Sequence, residues 1–529
     1  MINRGSAALR TLVLGTLVAT GAVNAPGIAS ANSLSQQWIN ATGTIAPPQL
    51  QAFTASSSGT SPAHVALTVT QSSALGFIIK SVFSDSTSGA TLASNTATTN
   101  DANENTIAWL NEDGDVYTGA FDYLIQGSFV VTDTVTDSNG ATATAEVTVT
   151  TLGSAYSAVT PTRILDTRNG TGASKSKVGA KSIVKLRVEG AGPIPSSGVT
   201  AAVLNVTVVA TTGDGYITVY PSGGTTVPTV SSLDYSAGKA VPNLVTMPVG
   251  SDGYVYLYNG GSAPVDLIAD VSGYYSLSGA SLYAPAIPER VLDTRNGTGA
   301  PKGAVQAGGT VRVLVALGNT FLAPPGDMSA VAVNITVVNP SSGGYVTAYA
   351  DGTSKPGTSN LDFTTGQTVA NSAIVPVAAN GEIDLTTTAT ANLLVDVVGY
   401  YSTSPSYADA AFVPISPSRV FDSRKAGNGQ LENGIEYDLN LGPWAQSTVA
   451  IQMNATVTNT KSSGYLSLYT YGNALPGTSN LDWTAGQTVA NAASVTANGS
   501  NQWMAIYNGG SAGIDVILDV SGYFEDSRV

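Results

Sequence analysis

The chain has 529 residues, with 21 Lys and Arg against 35 Asp and Glu, a formal charge of −14, no cysteine and one histidine, His64. That balance argues against nucleic acid or an anionic membrane as partner, and it rules out disulfide stapling and histidine-rich zinc chemistry. The length predicts roughly three to five domains.

Residues 1–31 read as a secretion signal: Arg4 and Arg10 precede an apolar run from Thr11 to Val23 and an Ala29-Ser30-Ala31 cleavage site. Their removal takes the formal charge from −14 to −16. No later segment is apolar for long enough to form a membrane helix, so the mature protein is expected to be secreted, and soluble or peripherally attached at the cell surface.

The first module spans 32–154. Its end, "GSFVVTDTVTDSNGATATAEVTVTT", alternates apolar and polar residues about a turn at Ser138-Asn139-Gly140, which predicts a hairpin. This segment, with "DGDVYTGAFDYLIQG" before it, resembles bacterial immunoglobulin-like and cadherin-like modules. Asp113 and Asp115 in "NEDGDVY" are calcium-ligand candidates, although the spacing is not that of an EF-hand and a solvated acidic loop competes. No other cofactor is expected.

Three copies of a second module follow, at 155–276, 282–402 and 407–529. Each opens on a signature, "RILDTR", "RVLDTR" or "RVFDSR", at spacings of 127 and 129 residues. An asparagine then interrupts an apolar strand, at Asn205, Asn334 and Asn454. "SSLDYSAGKAVPN", "SNLDFTTGQTVAN" and "SNLDWTAGQTVAN" come next, and "IADVSGYY", "LVDVVGYY" and "ILDVSGYF" close the copies. The period exceeds that of solenoid repeats, so each copy is expected to be a domain with its own core. Short linkers predict a partly stiff string of beads on the order of 140 Å long. No window has helical periodicity, and short strand-like runs recur between Gly, Asn and Pro turns. The expected class is all-β: tandem β-sandwiches, one immunoglobulin-like and three related to each other.

These four landmarks resemble a repeat of secreted actinobacterial proteins. The resemblance implies an accessory extracytoplasmic β-module, found in tandem or beside hydrolase domains, and it brings no catalytic residues. The third copy departs from the pattern at Phe421 and Ser423.

The recurring charges read as an ionic latch: Arg163, Asp166 and Arg168 with Asp270, then Arg290, Asp293 and Arg295 with Asp396, then Arg419, Asp422 and Arg424 with Asp519. A charged-sugar or ion site is the competing reading. The asparagines are expected to bridge a bulge or a loop backbone. In "GYITVY", period two sends Ile217 and Val219 to the core and Tyr216, Thr218 and Tyr220 to the other face. A second ladder holds Tyr254, Tyr256 and Tyr258, with Trp503, Ala505 and Tyr507 in copy three and Glu382, Asp384 and Thr386 in copy two. Flat aromatic faces suit the apolar faces of sugars or a neighbouring subunit, and cross-strand sheet pairing is the ordinary structural reading of them. The candidate ligand residues are therefore Tyr254, Tyr256, Tyr258, Trp503, Tyr507, Tyr216 and Tyr220.

No catalytic constellation surrounds His64, and acids that occur three times suit folding better than one active site. The expected protein is non-catalytic, an adhesin or glycan-binding protein whose partner is cell-wall or extracellular polysaccharide. A structural subunit of a surface layer, sheath or fibre that binds copies of itself is the alternative, and an accessory part of a secreted hydrolase system is the lesser one.

Overall fold

The computed structural model describes residues 153–526 apart from 277, 317–322, 405, 409, 426, 442–447 and 498–502, together with the backbone of seven strands between 49 and 151. It is all-β, built from antiparallel sandwiches. The signal-peptide reading and Asp113 lie outside the described residues, as do the side chains of His64 and Asp115.

The first unit holds β1 (Gln49–Ser58), β2 (Ala63–Ser72), β3 (Ile78–Asp85), β4 (Ala90–Thr96), β5 (Asp115–Tyr123), β6 (Gly127–Asp137) and β7 (Thr142–Thr151). They form two sheets, β1-β2-β5 and β4-β3-β6-β7. The β6–β7 pair is an antiparallel hairpin closing at Thr136 and Thr142.

Module 1 contains β8 (Ala155–Asp166), β9 (Ile183–Arg187), β10 (Val199–Val209), β11 (Gly215–Pro221), β12 (Leu233–Tyr235), β13 (Val241–Pro248), β14 (Tyr254–Asn259) and β15 (Asp266–Ser276). An inner sheet, β13-β10-β15-β8, faces an outer sheet, β12-β11-β14-β9. Module 2 repeats this with β16 (Leu282–Asp293), β17 (Thr310–Leu314), β18 (Met328–Val338), β19 (Gly344–Ala350), β20 (Leu361–Phe363), β21 (Thr368–Pro376), β22 (Glu382–Thr387) and β23 (Asn392–Ser402). Module 3 does so with β24 (Ala410–Asp422), β25 (Glu436–Asn440), β26 (Thr448–Thr458), β27 (Gly464–Thr470), β28 (Leu481–Trp483), β29 (Val489–Thr496), β30 (Trp503–Asn508) and β31 (Asp515–Asp526).

The three modules are not beads on a string. Their inner sheets pack around one shared core, and their opening strands close a ring. Tyr156 on β8 bridges to Ser281 at the start of module 2, Tyr283 on β16 pairs with Ala410 on β24, and Phe412 on β24 bridges back to Ser154. Six aromatic side chains plug the middle, each at most 1% exposed: Tyr156, Tyr275, Tyr283, Tyr401, Phe412 and Phe524. Every opening-strand ring meets a closing-strand ring of another module: Tyr156–Tyr401 at 4.3 Å, Tyr283–Phe524 at 4.1 Å and Phe412–Tyr275 at 4.5 Å. Such contacts contribute beyond area burial. The hydroxyls of Tyr275 and Tyr401 satisfy one another at 2.5 Å. Phe524 takes the third closing-strand position without adding a polar atom that would need a partner.

This architecture explains two motifs. β10, "VTAAVLNVTVV", is buried along nearly its whole length. Ala202, Leu204, Val206 and Val208 fill the module's own core, and Ala201 and Val203 fill the shared one. A strand covered on both faces loses its polar alternation. In "GYY" and "GYF", a Cβ on Gly273, Gly399 or Gly522 would overlap the ring of Tyr156, Tyr283 or Phe412. The glycine is therefore the seat of the aromatic plug.

After each second inner strand the chain turns through a left-handed residue: Asn339 (φ 51°) and Asn459 (φ 55°), but Ala210 (φ 53°) in module 1. Alanine gains nothing there to offset its Cβ strain, whereas asparagine tolerates the conformation. Ala210→Asn is expected to stabilise module 1 by about 0.5–1 kcal/mol, read as a rise in urea midpoint at unchanged slope.

Candidate functional site

The opening signature folds into a paired ionic lock. β8 and β15 set Arg163 directly opposite Asp270. The guanidinium donates from Nε to Oδ1 at 2.8 Å and from Nη2 to Oδ2 at 3.0 Å. Arg168 curls back onto Asp166, with Nε–Oδ1 at 2.9 Å, Nη2–Oδ2 at 2.7 Å and its backbone N–H on Oδ1 at 3.1 Å. Arg290–Asp396 and Arg295–Asp293 repeat this in module 2, and Arg419–Asp519 and Arg424–Asp422 in module 3. Each Arg–Asp fork is a bidentate, charge-assisted pair. Beside Asp519 and Asp270 lie crevices of about 20 and 10 Å³, room for roughly one water each. Among the described residues these charges face no ligand-sized cleft.

The asparagines act between modules. Asn205 Nδ2 donates to the Ser359 carbonyl at 2.7 Å, and Asn371 Nδ2 donates to Asn205 Oδ1 at 3.0 Å and to the Asn360 carbonyl at 2.6 Å. Asn334 reaches Ser479 and receives Asn491 in the same way, and Asn454 reaches Ser231 and receives Asn243. Module 1 thus holds the "SNLD" loop of module 2, module 2 that of module 3, and module 3 the "SSLD" loop of module 1. Asp234 and Asn243 bond within their own turn and across to module 3: Asn243 Nδ2 donates to the Ser232 carbonyl at 2.6 Å and to Asn454 Oδ1 at 2.8 Å. Asp234 Oδ2 accepts from Ser231 Oγ at 3.0 Å and from Thr456 Oγ1 of module 3 at 3.4 Å, and the Ser231 N–H donates to Asp519 at 3.2 Å.

These carboxyls fall into two groups. Arg168, Arg295 and Arg424 hold Asp166, Asp293 and Asp422 low, the last at about 2. Burial at the module interfaces pushes Asp234, Asp362 and Asp482 up to about 6, against the hydrogen bonds from Ser231, Ser359 and Ser479. For the low group the folded pKa lies below the ordinary 3.8, so its stabilisation is present above about pH 4 and lost as pH falls toward 2. For the raised group stabilisation is full below about pH 4 and lost as pH climbs through 6. Thermal unfolding followed by circular dichroism is expected to show maximal stability near about pH 4–5 and a decline toward pH 7. Asp234→Asn, Asp362→Asn and Asp482→Asn together should flatten that decline.

The outer faces differ from the expectation of two exposed tyrosine ladders. Thr218 is fully buried and Tyr220 is 3% exposed, because residues 222–232 run across β11 and Thr218 Oγ1 donates to the Val230 carbonyl at 2.6 Å. Thr347 and Ser467 hold the same roof in modules 2 and 3, to Thr358 and Thr478. Tyr220 is thereby removed from the candidate ligand surface. It packs edge-on to Tyr256 at 5.3 Å. What remains open in module 1 is the β14 row, Tyr254, Tyr256 and Tyr258, all half-buried, with Tyr216 beside Tyr258 at 6.5 Å. In module 3, Trp503 and Tyr507 occupy the equivalent row, and Tyr469 donates to Glu436. In module 2 the row is Glu382, Asp384 and Thr386, facing Arg312. Periodicity cannot reveal the roof, since a loop's path over a sheet leaves no repeat in the sequence. The Thr or Ser between the two tyrosines is the local sign of it.

Among the described residues no group of three or more His, Cys, Asp or Glu side chains is arranged to hold a metal ion, and no helix is long and apolar enough to cross a membrane. No protein-family model and no curated protein matches the chain.

Proposed function

We propose that the chain is a secreted, non-catalytic cell-surface protein that binds cell-wall or extracellular polysaccharide through the outer aromatic faces of its modules. The observation that carries this reading is the β14 row. Tyr254, Tyr256 and Tyr258 lie half-exposed on the outside of a sheet whose other face completes the core. Module 2 builds the same sheet with Glu382, Asp384 and Thr386 in that row. The tyrosines are therefore not required for the strand pairing, and half-exposed rings with hydroxyl rims suit pyranose faces. The recurring arginines and aspartates are consumed in lock and interface, which supports a non-catalytic role.

The test is co-sedimentation of the mature chain with purified cell wall, chitin and cellulose. Tyr254→Ala, Tyr256→Ala and Tyr258→Ala together are expected to lower retention at least about tenfold, on ~0.5–1.5 kcal/mol per lost ring contact. Unchanged retention by the triple variant would reject the face. The structural-subunit alternative draws on β9, β17 and β25, which among the described residues are terminal in their outer sheets and offer an edge for pairing. Polymers in negative-stain microscopy, formed without added glycan, would favour it.

A further inference from the structure

The three outer faces share a backbone and differ in charge. On module 1, the edge strand β9 sets Lys185 opposite Tyr256 and Arg187 opposite Tyr254. Lys185 Nζ lies 4.3 Å from the centre of the Tyr254 ring, and Lys181 Nζ lies 5.8 Å from that of Tyr216. The equivalent edge of module 3 sets Glu436 opposite Tyr507 and Asp438 opposite Ala505. On module 2, the one cation of that edge, Arg312, is taken up by Asp351 at 2.8 Å, with Glu382 and Asp384 within 3.8 Å. In a chain of charge −14, module 1 thus places cations directly on an aromatic strip.

Those cations are available. The partner of Lys185 is Asp252 at 2.8 Å, and both side chains are nearly half exposed, so the pair is weak and exchangeable. Among the described residues neither Lys181 nor Arg187 is in an ion pair: Lys181 donates to the Gly260 carbonyl, and Arg187 Nε to the Glu189 carbonyl.

We infer that the ligand of this face is a polyuronate, a polysaccharide carrying a carboxylate on each pyranose ring. The inference rests on the glycan-binding reading above and names the class of glycan. Ring faces lie on Tyr256 and Tyr258, and carboxylates meet Lys181, Lys185 and Arg187, one of them displacing Asp252 from Lys185. A uronic acid carries the apolar ring face and the anion in a single sugar, and this strip offers both within one side chain's reach. A neutral glucan lacks the charge, and a polyol phosphate lacks the ring.

The test is affinity electrophoresis of the full mature chain in gels holding polygalacturonate, its methyl ester, or a soluble neutral glucan. Retardation is expected in polygalacturonate, with affinity at least about tenfold lower for the ester and for the Lys181→Gln, Lys185→Gln, Arg187→Gln variant, whose thermal midpoint stays that of the parent. Equal affinity for acid and ester, or an unaltered variant, overturns the polyuronate assignment and leaves glycan binding standing. So does retardation in the neutral glucan alone. Retention of polygalacturonate by the Tyr254, Tyr256, Tyr258 alanine variant at parental strength reduces the face to simple ion exchange and overturns the assignment too. No retardation in any gel overturns the polyuronate assignment, and the glycan-binding reading falls with it only if the chain also fails to co-sediment with cell wall, chitin and cellulose.

Discussion

Asn243→Ala, Asn371→Ala and Asn491→Ala together are expected to let the three modules come apart. Each of these amides is at most 2% exposed and bonds to the module beside it. Loss of Asn371 strands Asn205 Oδ1, the Asn360 carbonyl and the Leu244 N–H in a buried interface. Such orphaned groups cost about 1–3 kcal/mol apiece, so with three of them one site is expected to lose about 3 kcal/mol or more. The measurement uses the full chain with a protease site placed in the linker at 403–406. After cleavage, module 3 should co-elute with the rest of the parental chain, held by the aromatic plug and two asparagine pairs. In the triple variant it should elute separately, or the whole body should unfold at much lower urea. Parental behaviour in both measurements would mean that the amides are incidental to cohesion.

Arg163→Leu is expected to cost about 3–5 kcal/mol, because Asp270, 3% exposed, would keep its place beside a buried sheet without its bidentate partner. The same burial already pushes the Asp270 carboxyl upward despite the guanidinium. Arg163→Leu with Asp270→Leu should recover most of the loss, since an apolar pair leaves no stranded charge. Urea midpoints of the parent, both single variants and the double variant complete the cycle. A small loss in the single Arg163 variant would show that Asp270 finds water or another cation, and that the lock is a surface pair in energetic terms.

Much of the fold is legible in the sequence, because each module carries its strands as short runs between turns and repeats its landmarks in order. The ion-pair partners are legible as well: Arg163 and Asp270 sit in an opening and a closing strand of one unit, and acids and arginines that recur together have few other reasons to do so. The closure of the ring is harder to read. Period two identifies one buried face, and "AAVLNVTVV" carries no such period. That absence is itself the mark of a strand buried on both sides, by its own core and by Ala201 and Val203 in the shared one. Asn205 interrupts this run, and its partner lies 154 residues away in another module, which no local pattern encodes. On the outside, the alternation in "GYITVY" places each side chain on the correct face but cannot show that Tyr220 is roofed.

The cyclic bridging of Tyr156, Tyr283 and Phe412 fixes a number. Open-ended tandem arrays lengthen or shorten by whole units during evolution, because each new copy stacks on the last. Here every seat is taken: a fourth copy would find no vacant neighbour, and deletion of one would bare two interfaces and strip two of the six rings from the aromatic knot. The ring therefore closes at three copies and no other number, and the contrasting charges of their exteriors lie where a substitution leaves that closure untouched.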